Sequence, residues 1–295
     1  MSATTIAADI GALAPRRKRG TATSAYLVGA ACVAVIAIMA APLVFSFLAS
    51  IESTAEASAA PPHYFPQTFS LQNYLKVAGY QAGLATYIGN SIVVALTTIA
   101  ACVALAVPAG YGLARFSPYG KEIAFLVLLA PMMIPYQALL TPLYLDFARF
   151  GLVDSRFGLA IVHTILQLPF SVYLMRNAFE AIPREIDEAA MIDGCSAWRR
   201  LTQIFLPLAV PGLVTVALFA FINSWNEFIA ALVFMNREFS FTVPILLVSV
   251  RTGDHGAVDW GSLQASVIVS IIPCLVVYLA LQRYYISGLL SGAVK

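Results

Sequence analysis

The side chains best suited to covalent chemistry here are three histidines, His63, His163 and His255, and four cysteines, Cys32, Cys102, Cys195 and Cys274. They are scattered. No H-E-x-x-H or G-x-S-x-G pattern sets a base beside a nucleophile, and no C-x-x-C pair suggests a redox or metal centre. Three of the cysteines lie in apolar runs, where a thiol behaves as a small hydrophobe. Gly120-Lys121 is followed by Glu122 and lacks the upstream glycine of a G-x-x-x-x-G-K-[ST] phosphate cradle. His163 and Ser171 form no recognisable nucleophile–base constellation, which weighs against a hydrolase. The remaining chemistry is binding chemistry. Asn223, Trp225, Asn226 and Glu227 interrupt an apolar run. Amides and a carboxylate there can hydrogen-bond hydroxyls, Trp225 can stack on a ring face, and an ionisable group in such a run is a functional candidate. The same residues would equally serve interhelical hydrogen bonds and an interfacial tryptophan. Asn90, Gln137, Gln167 and Gln264 are similar polar candidates.

The elements that carry these residues are membrane spans. Of 295 residues, 60% are hydrophobic and 11% charged, against about 25% charged in a soluble domain. Such a chain cannot hide its apolar surface in one core. A spanning helix needs about 20 mainly apolar residues, and six segments qualify: Ala25–Ser50, Tyr87–Leu113, Ile123–Leu145, Phe157–Met175, Leu208–Phe234 and Ser262–Arg283. The prolines inside the third and fourth are tolerated where neighbouring helices satisfy the freed carbonyls. The first follows Arg16 to Arg19 but is too long for a signal peptide's apolar region, so it is expected to be retained. The net charge of +2 gives no indication of nucleic acid.

Lys and Arg concentrate on the cytoplasmic side of membrane proteins. With the N-terminus inside, the inner segments hold Arg16, Arg17, Lys18, Arg19, Arg115, Lys121, Arg176, Arg184, Arg199, Arg200, Arg283 and Lys295. The outer ones hold Lys76, Arg149, Arg156, Arg237 and Arg251. Both termini are therefore expected in the cytoplasm. This gives a basic tail at 1–24, a first span at 25–50, a periplasmic connector at 51–86, a five-helix core at 87–283 and a cytoplasmic tail at 284–295. The connector is rich in Pro and small residues, with a short interfacial helix expected near Leu71–Val77.

The loop at 176–207 is the most polar internal stretch. Pro183 suits a first helical turn, Glu185, Asp187 and Glu188 complement the helix dipole, and Gly194 suits a C-terminal cap. The pattern predicts a helix over Pro183–Asp193, then a second one capped by Ser196 and running through Trp198 and Arg199. Pro207 and Pro211 mark the return into the membrane. Ile186, Ala189, Ala190 and Asp193 share a flank at i, i+3, i+4, i+7 spacing. That flank fits close docking on a partner surface, or a solvated linker whose alanines serve propensity.

The spacing Glu188-Ala189-Ala190, three residues, Gly194, nine residues, Ile204, one residue, Leu206-Pro207 resembles the EAA motif of bacterial ABC importer permeases, E-A-A-x3-G-x9-I-x-L-P. At average usage, seven fixed residues match by chance on the order of 10⁻⁸ per start position. Asn90–Phe116, Ser224–Phe234, Asp259–Ile268 and the ending LQRYYISGLLSGAVK are similar to carbohydrate and polyol-phosphate permeases, in particular the six-helix partner of a maltose-type permease pair. The resemblance runs from about Ala25 to Lys295. It implies an all-α polytopic membrane protein with six transmembrane helices, the transmembrane domain of a type I ABC importer in the inner membrane. It also implies a second homologous permease, two cytoplasmic ATPase subunits and an external solute-binding protein as partners, with surrounding lipid and no cofactor or metal. In the family this loop is a coupling helix docked on the ATPase, so Glu188, Ala189, Ala190, Gly194, Ile204, Leu206 and Pro207 are implied as coupling residues, with Ile204 and Pro207 bracing the loop against the bundle. Ala190 would then be small to allow docking and lie outside the bundle. ATP hydrolysis would belong to another subunit. The alternatives are an importer for amino acids or peptides, a passive channel, or an intramembrane enzyme. A channel would not need the loop.

Overall fold

The computed structural model describes residues 22–59, 61, 64–116, 119–251 and 258–293; Arg16 to Arg19, His63, His255 and Lys295 lie outside them. The chain divides into two units, 1–45 and 46–295. The first holds most of α1 (Ala22–Ser50), a single apolar helix that carries Pro42.

In the second unit, α2 (Thr54–Ala57) and α3 (Gln72–Ala78) precede α4 (Leu84–Arg115). Next come α5 (Lys121–Leu129), which ends in a 3-10 turn at Ala130–Met133, α6 (Tyr136–Arg149) and α7 (Arg156–Glu180). The polar loop holds α8 (Arg184–Ile192) and α9 (Ala197–Arg200). A π-helical turn at Leu201–Phe205 leads through α10 (Leu206–Leu208) into α11 (Val210–Asn226) and α12 (Ile229–Phe234). Then α13 (Val243–Val250) precedes the long α14 (Trp260–Ala293).

Four helices are long and apolar enough to cross a membrane alone: Tyr26–Ser50, Leu84–Arg115, Arg156–Glu180 and Trp260–Gln282. Two bent pairs raise the number to six when each counts as one span. They are Lys121–Met133 with Tyr136–Arg149, bent by 99°, and Ala197–Leu208 with Val210–Asn226, bent by 79°.

The third expected span, which carries Pro131, Pro135 and Pro142, bends, and so does the fifth. Ile134, forced toward extended backbone by Pro135, has φ −92 and ψ 132 and breaks the third. The fifth, expected as Leu208–Phe234, turns at Ala209 and breaks again at Glu227, whose ψ is 120. α13 was not expected: its run of eight residues is far too short to span. Even so, it buries Val243, Ile245, Leu246 and Val250.

Tight packing between α4 and α7 organises the core. A Cβ added at Gly110 would lie 2.7 Å from the Met175 Cβ, so only glycine permits this approach. Three apolar clusters follow. One centres on Leu159, Phe147 and Phe234, one on Tyr111, Met175, Phe179 and Phe205, and one on Tyr87, Trp225 and Leu246. The connector at 51–86 is less free than its composition suggests. Asn73, fully buried, donates to the carbonyls of Ser50 and Glu52 at 3.1 and 2.8 Å. Lys76 pairs with Asp259 at 3.1 Å, which fastens α3 to the start of α14.

Candidate functional site

The loop folds much as its punctuation predicts. Pro183 is the N-cap of α8 and Asp193 its C-cap. Gly194 has φ +75, and a Cβ on it would meet nothing within 4 Å; backbone angle, not space, requires glycine there. The Gly194 N–H donates to the Met191 carbonyl and the Cys195 N–H to the Ala190 carbonyl, both at 3.0 Å. That pair of bonds is a Schellman cap. Ser196 then starts α9, its hydroxyl accepting from the Arg199 N–H at 3.4 Å.

The phase of α8 differs from the expected flank. Asp187 and Ala190 point inward, Ala190 only 5% exposed, whereas Glu185, Glu188, Ala189 and Ile192 face out. The outward face of α8 therefore includes Ala189, while Ala190 turns inward. The small side chain of Ala190 is packed within this chain, which corrects its expected place on a docking flank. Around this loop Met191, Ile192 and Trp198 are exposed.

Asp187 and Arg200 form an ion pair at 3.1 Å, both nearly buried, which ties α8 to α9. Beneath them Arg115 donates to the carbonyls of Phe179 and Ile182, and its guanidinium lies 4.5 Å from the Phe205 ring centroid. Ile204 and Leu206 are half-buried against the Tyr111–Phe179–Phe205 cluster. Pro207 is exposed, where bracing against the bundle was expected of it. Its ring would clash with the carbonyl of Gln203 in a regular helix. The wider π turn just before it accommodates the ring, the Leu206 N–H reaching the Leu201 carbonyl.

The second assembly is a cavity of about 430 Å³ lined from four helices by residues that include Thr98, Tyr136, His163, Gln167, Asn223 and Glu227. Asn223 donates to Gln167 Oε1 at 2.6 Å. The His163 Nδ1 lies 2.8 Å from the Ser224 hydroxyl, and its Nε2 lies 3.4 Å from Glu227. Both carboxylate oxygens of Glu227 accept backbone N–H bonds, from Ala230 at 2.7 Å and Ala231 at 2.9 Å. Glu227 thus caps α12 where the fifth span breaks. Tyr136 donates to it from 3.5 Å.

Three of the four residues expected on a solute path, Asn223, Asn226 and Glu227, line this cavity. Trp225 does not. It is 2% exposed, stacks on Phe221, and donates to the Ser270 carbonyl at 3.1 Å, so it packs α11 against α14. Asn90 is likewise structural: its amide donates to the carbonyls of Phe239 and Phe241 at 2.7 and 2.9 Å. Gln167 joins the cavity, whereas Gln137 and Gln264 do not line it. The meeting of Ser224, His163 and Glu227 was invisible in sequence because 61 residues separate the first two. Tyr136 and Thr98 gave no signal either, being ordinary members of apolar segments.

The family model described as "Binding-protein-dependent transport system inner membrane component" matches residues 106–290. A probable ABC transporter permease protein of Bacillus subtilis (strain 168), YurM, is 34% identical over 230 residues, covering 78% of this chain and 75% of that one. The trehalose/maltose transport system permease protein MalG of Thermococcus litoralis is 31% identical over 270 residues, covering 91% and 95%. Among solved structures, a bacterial ABC transporter involved in the import of the acidic polysaccharide alginate superposes with a TM-score of 0.78 at 23% identity, covering 92% of this chain and 100% of the matched one. With the EAA spacing complete and the helices arranged as in an ABC importer, this chain belongs to the inner membrane components of binding-protein-dependent transport systems.

Proposed function

We propose that this chain is a permease subunit of an ATP-driven importer for carbohydrates, and that it works by alternating access. The loop at 176–207 takes up the movement of a separate ATPase subunit. The observation that carries this is the complete EAA spacing on a capped helix whose outward flank, Glu185, Glu188, Ala189 and Ile192, is free within the chain. The ion pair and the Arg115 bonds beneath the loop let a push on α8 reach α4, α7 and α11 as one body. Glu188, Ala189 and Gly194 act at the docking surface. Ala190, Ile204, Leu206 and Pro207 act by holding the loop's shape.

Asn223, Asn226 and Glu227 line the solute path. The names of relatives such as the trehalose/maltose permease support a carbohydrate over an amino acid or peptide. A homologous second permease, two ATPase subunits and an external binding protein complete the machine. A switch between outward and inward access needs ligands that favour different states, and ATP and the loaded binding protein are those ligands. The Lys/Arg distribution supports a reading with both termini in the cytoplasm.

The test is uptake by the assembled importer of the solute bound by the cognate binding protein. ATP-dependent uptake of a carbohydrate, lost when this chain is deleted, supports the reading. Uptake of an amino acid or peptide in its place, or passage of solute without ATP, refutes it.

A further inference from the structure

The cavity holds a buried donor without a partner: Gln167 is 7% exposed, yet its Nε2 has no hydrogen-bond partner. A buried donor left unpaired is costly, so an acceptor arriving in the cavity is favoured. The volume of about 430 Å³ falls within the roughly 300–1,000 Å³ of small-molecule sites.

The charge of the lining is equally informative. None of the described residues that line the cavity is a lysine or arginine, while Glu227 is a carboxylate. With His163 neutral the lining carries one negative charge; with His163 protonated it carries none. It is positive in neither state. The arginines on the surrounding helices are engaged elsewhere. Arg156 donates to Asn90 at 3.3 Å, and Arg176 to Glu122 and Glu180 at 2.8–2.9 Å. Arg115 is held on carbonyls and Arg149 pairs with Asp146 at 3.5 Å. An anion in this cavity would face the Glu227 carboxylate with no lysine or arginine among the described lining residues to offset it.

We propose that the cavity discriminates by charge: it admits uncharged polar solutes and repels anionic ones, with Glu227 as the residue that sets this preference. This deepens the reading of the cavity as the solute path and narrows the cargo to neutral sugars, excluding phosphorylated, sulfonated or carboxylated ones. Gln167 and Asn223 supply hydrogen bonds that any hydroxylated solute can use, so the rejection rests on Glu227.

The test needs no knowledge of the solute. The complete importer is placed in nanodiscs with its native cysteines replaced, and a single cysteine is introduced by Leu166→Cys in the cavity or by Ala55→Cys on the exposed connector. Reaction rates are compared for the neutral 2-hydroxyethyl, anionic 2-sulfonatoethyl and cationic 2-(trimethylammonium)ethyl methanethiosulfonates. The neutral-to-anionic rate ratio in the cavity should exceed that at the connector by roughly five- to thirtyfold, the effect of one charge at close range in a partly polar site. Glu227→Gln should remove most of that excess. The cationic reagent, used on the chain with Glu227 intact, should react no more slowly than the neutral one, a result that does not depend on whether Glu227→Gln assembles. A cavity ratio equal to the connector's, or an anionic reagent that reacts faster, overturns the proposal. So does a cavity ratio left unchanged by Glu227→Gln. If the charge preference is found but carbohydrate uptake is not, the functional reading falls and the charge filter stands.

Discussion

Asp187 and Arg200 meet at 3.1 Å across the Gly194 turn, and this pair links the two short helices of the loop. Both side chains are nearly buried, so removing one partner strands the other. Breaking a buried pair costs up to about 3–5 kcal/mol, whereas replacing both partners by apolar groups is often close to neutral. Asp187→Ala and Arg200→Ala should each open the segment between Arg184 and Arg200 to limited proteolysis. Asp187→Leu with Arg200→Met should restore most of the protection. Equal protease resistance in all four chains would show that the pair does not hold the loop.

Gly194 supplies a second test of loop geometry. Its φ of +75 lies in the left-handed region and the space around it is empty. A side chain there therefore costs only backbone strain, about 1–2 kcal/mol. Loop stability should fall in the order Gly, Asn, Ala, Val, since Asn tolerates this region best and a β-branched residue worst. Hydrogen exchange of the α8 amides measures it. A ranking that follows side-chain volume instead would mean the site is crowded.

Much of this loop was legible because capping is local chemistry. Pro183, Gly194 and Ser196 each act within a turn of themselves, and each stands where its residue type predicts. Ala190 was misread because helix phase relative to the bundle depends on what lies beneath, here Asp187 reaching Arg200. The break at Glu227 was missed for a similar reason. An apolar window of about 20 residues reports length, not continuity, and the carboxylate at the break caps the Ala230 and Ala231 N–H groups three and four residues on. Trp225 was misplaced because a tryptophan beside polar residues reads the same whether it faces a solute or a neighbouring helix.

The separation of Trp225 from the cavity makes a prediction of its own. Trp225→Ala removes a fully buried ring and should destabilise the chain by about 3–5 kcal/mol, with lower amounts in the membrane. Trp225→Phe should restore most of the amount while still lacking the bond to the Ser270 carbonyl. Asn223→Ala, at an exposed cavity position, should leave the amount unchanged and reduce uptake. If Trp225→Phe abolished uptake at normal amounts, Trp225 would be on the path after all.

Asp259 gives the junction of α3 and α14 a pH dependence. Burial pushes its carboxyl up, but the Ser262 N–H, the Lys76 ammonium and the Ser262 hydroxyl outweigh that and hold it below the usual aspartate range. A depressed carboxyl contributes stability that is complete above its unfolded value and lost as pH falls through the folded one. The Lys76–Asp259 link should therefore persist at neutral pH and weaken only in the acidic range below ordinary aspartates. Exchange at α3 amides should accelerate there, and Asp259→Asn should show faster exchange already at neutral pH with no further acid step. An α3 that loosens equally in both chains would assign the pH response elsewhere.

In the proposed function the ATPase subunit docks on the outward flank of α8. Retention of that subunit by an Ala189→Trp chain during co-purification tests it most directly. Ala189 is exposed, so the variant should insert and accumulate normally. A bulky ring would nevertheless hold the partner off its seat, and retained ATPase subunit should fall roughly tenfold or more as close contact is forfeited. Full retention, with uptake at the unmodified level, would contradict the account and leave α8 a solvated linker.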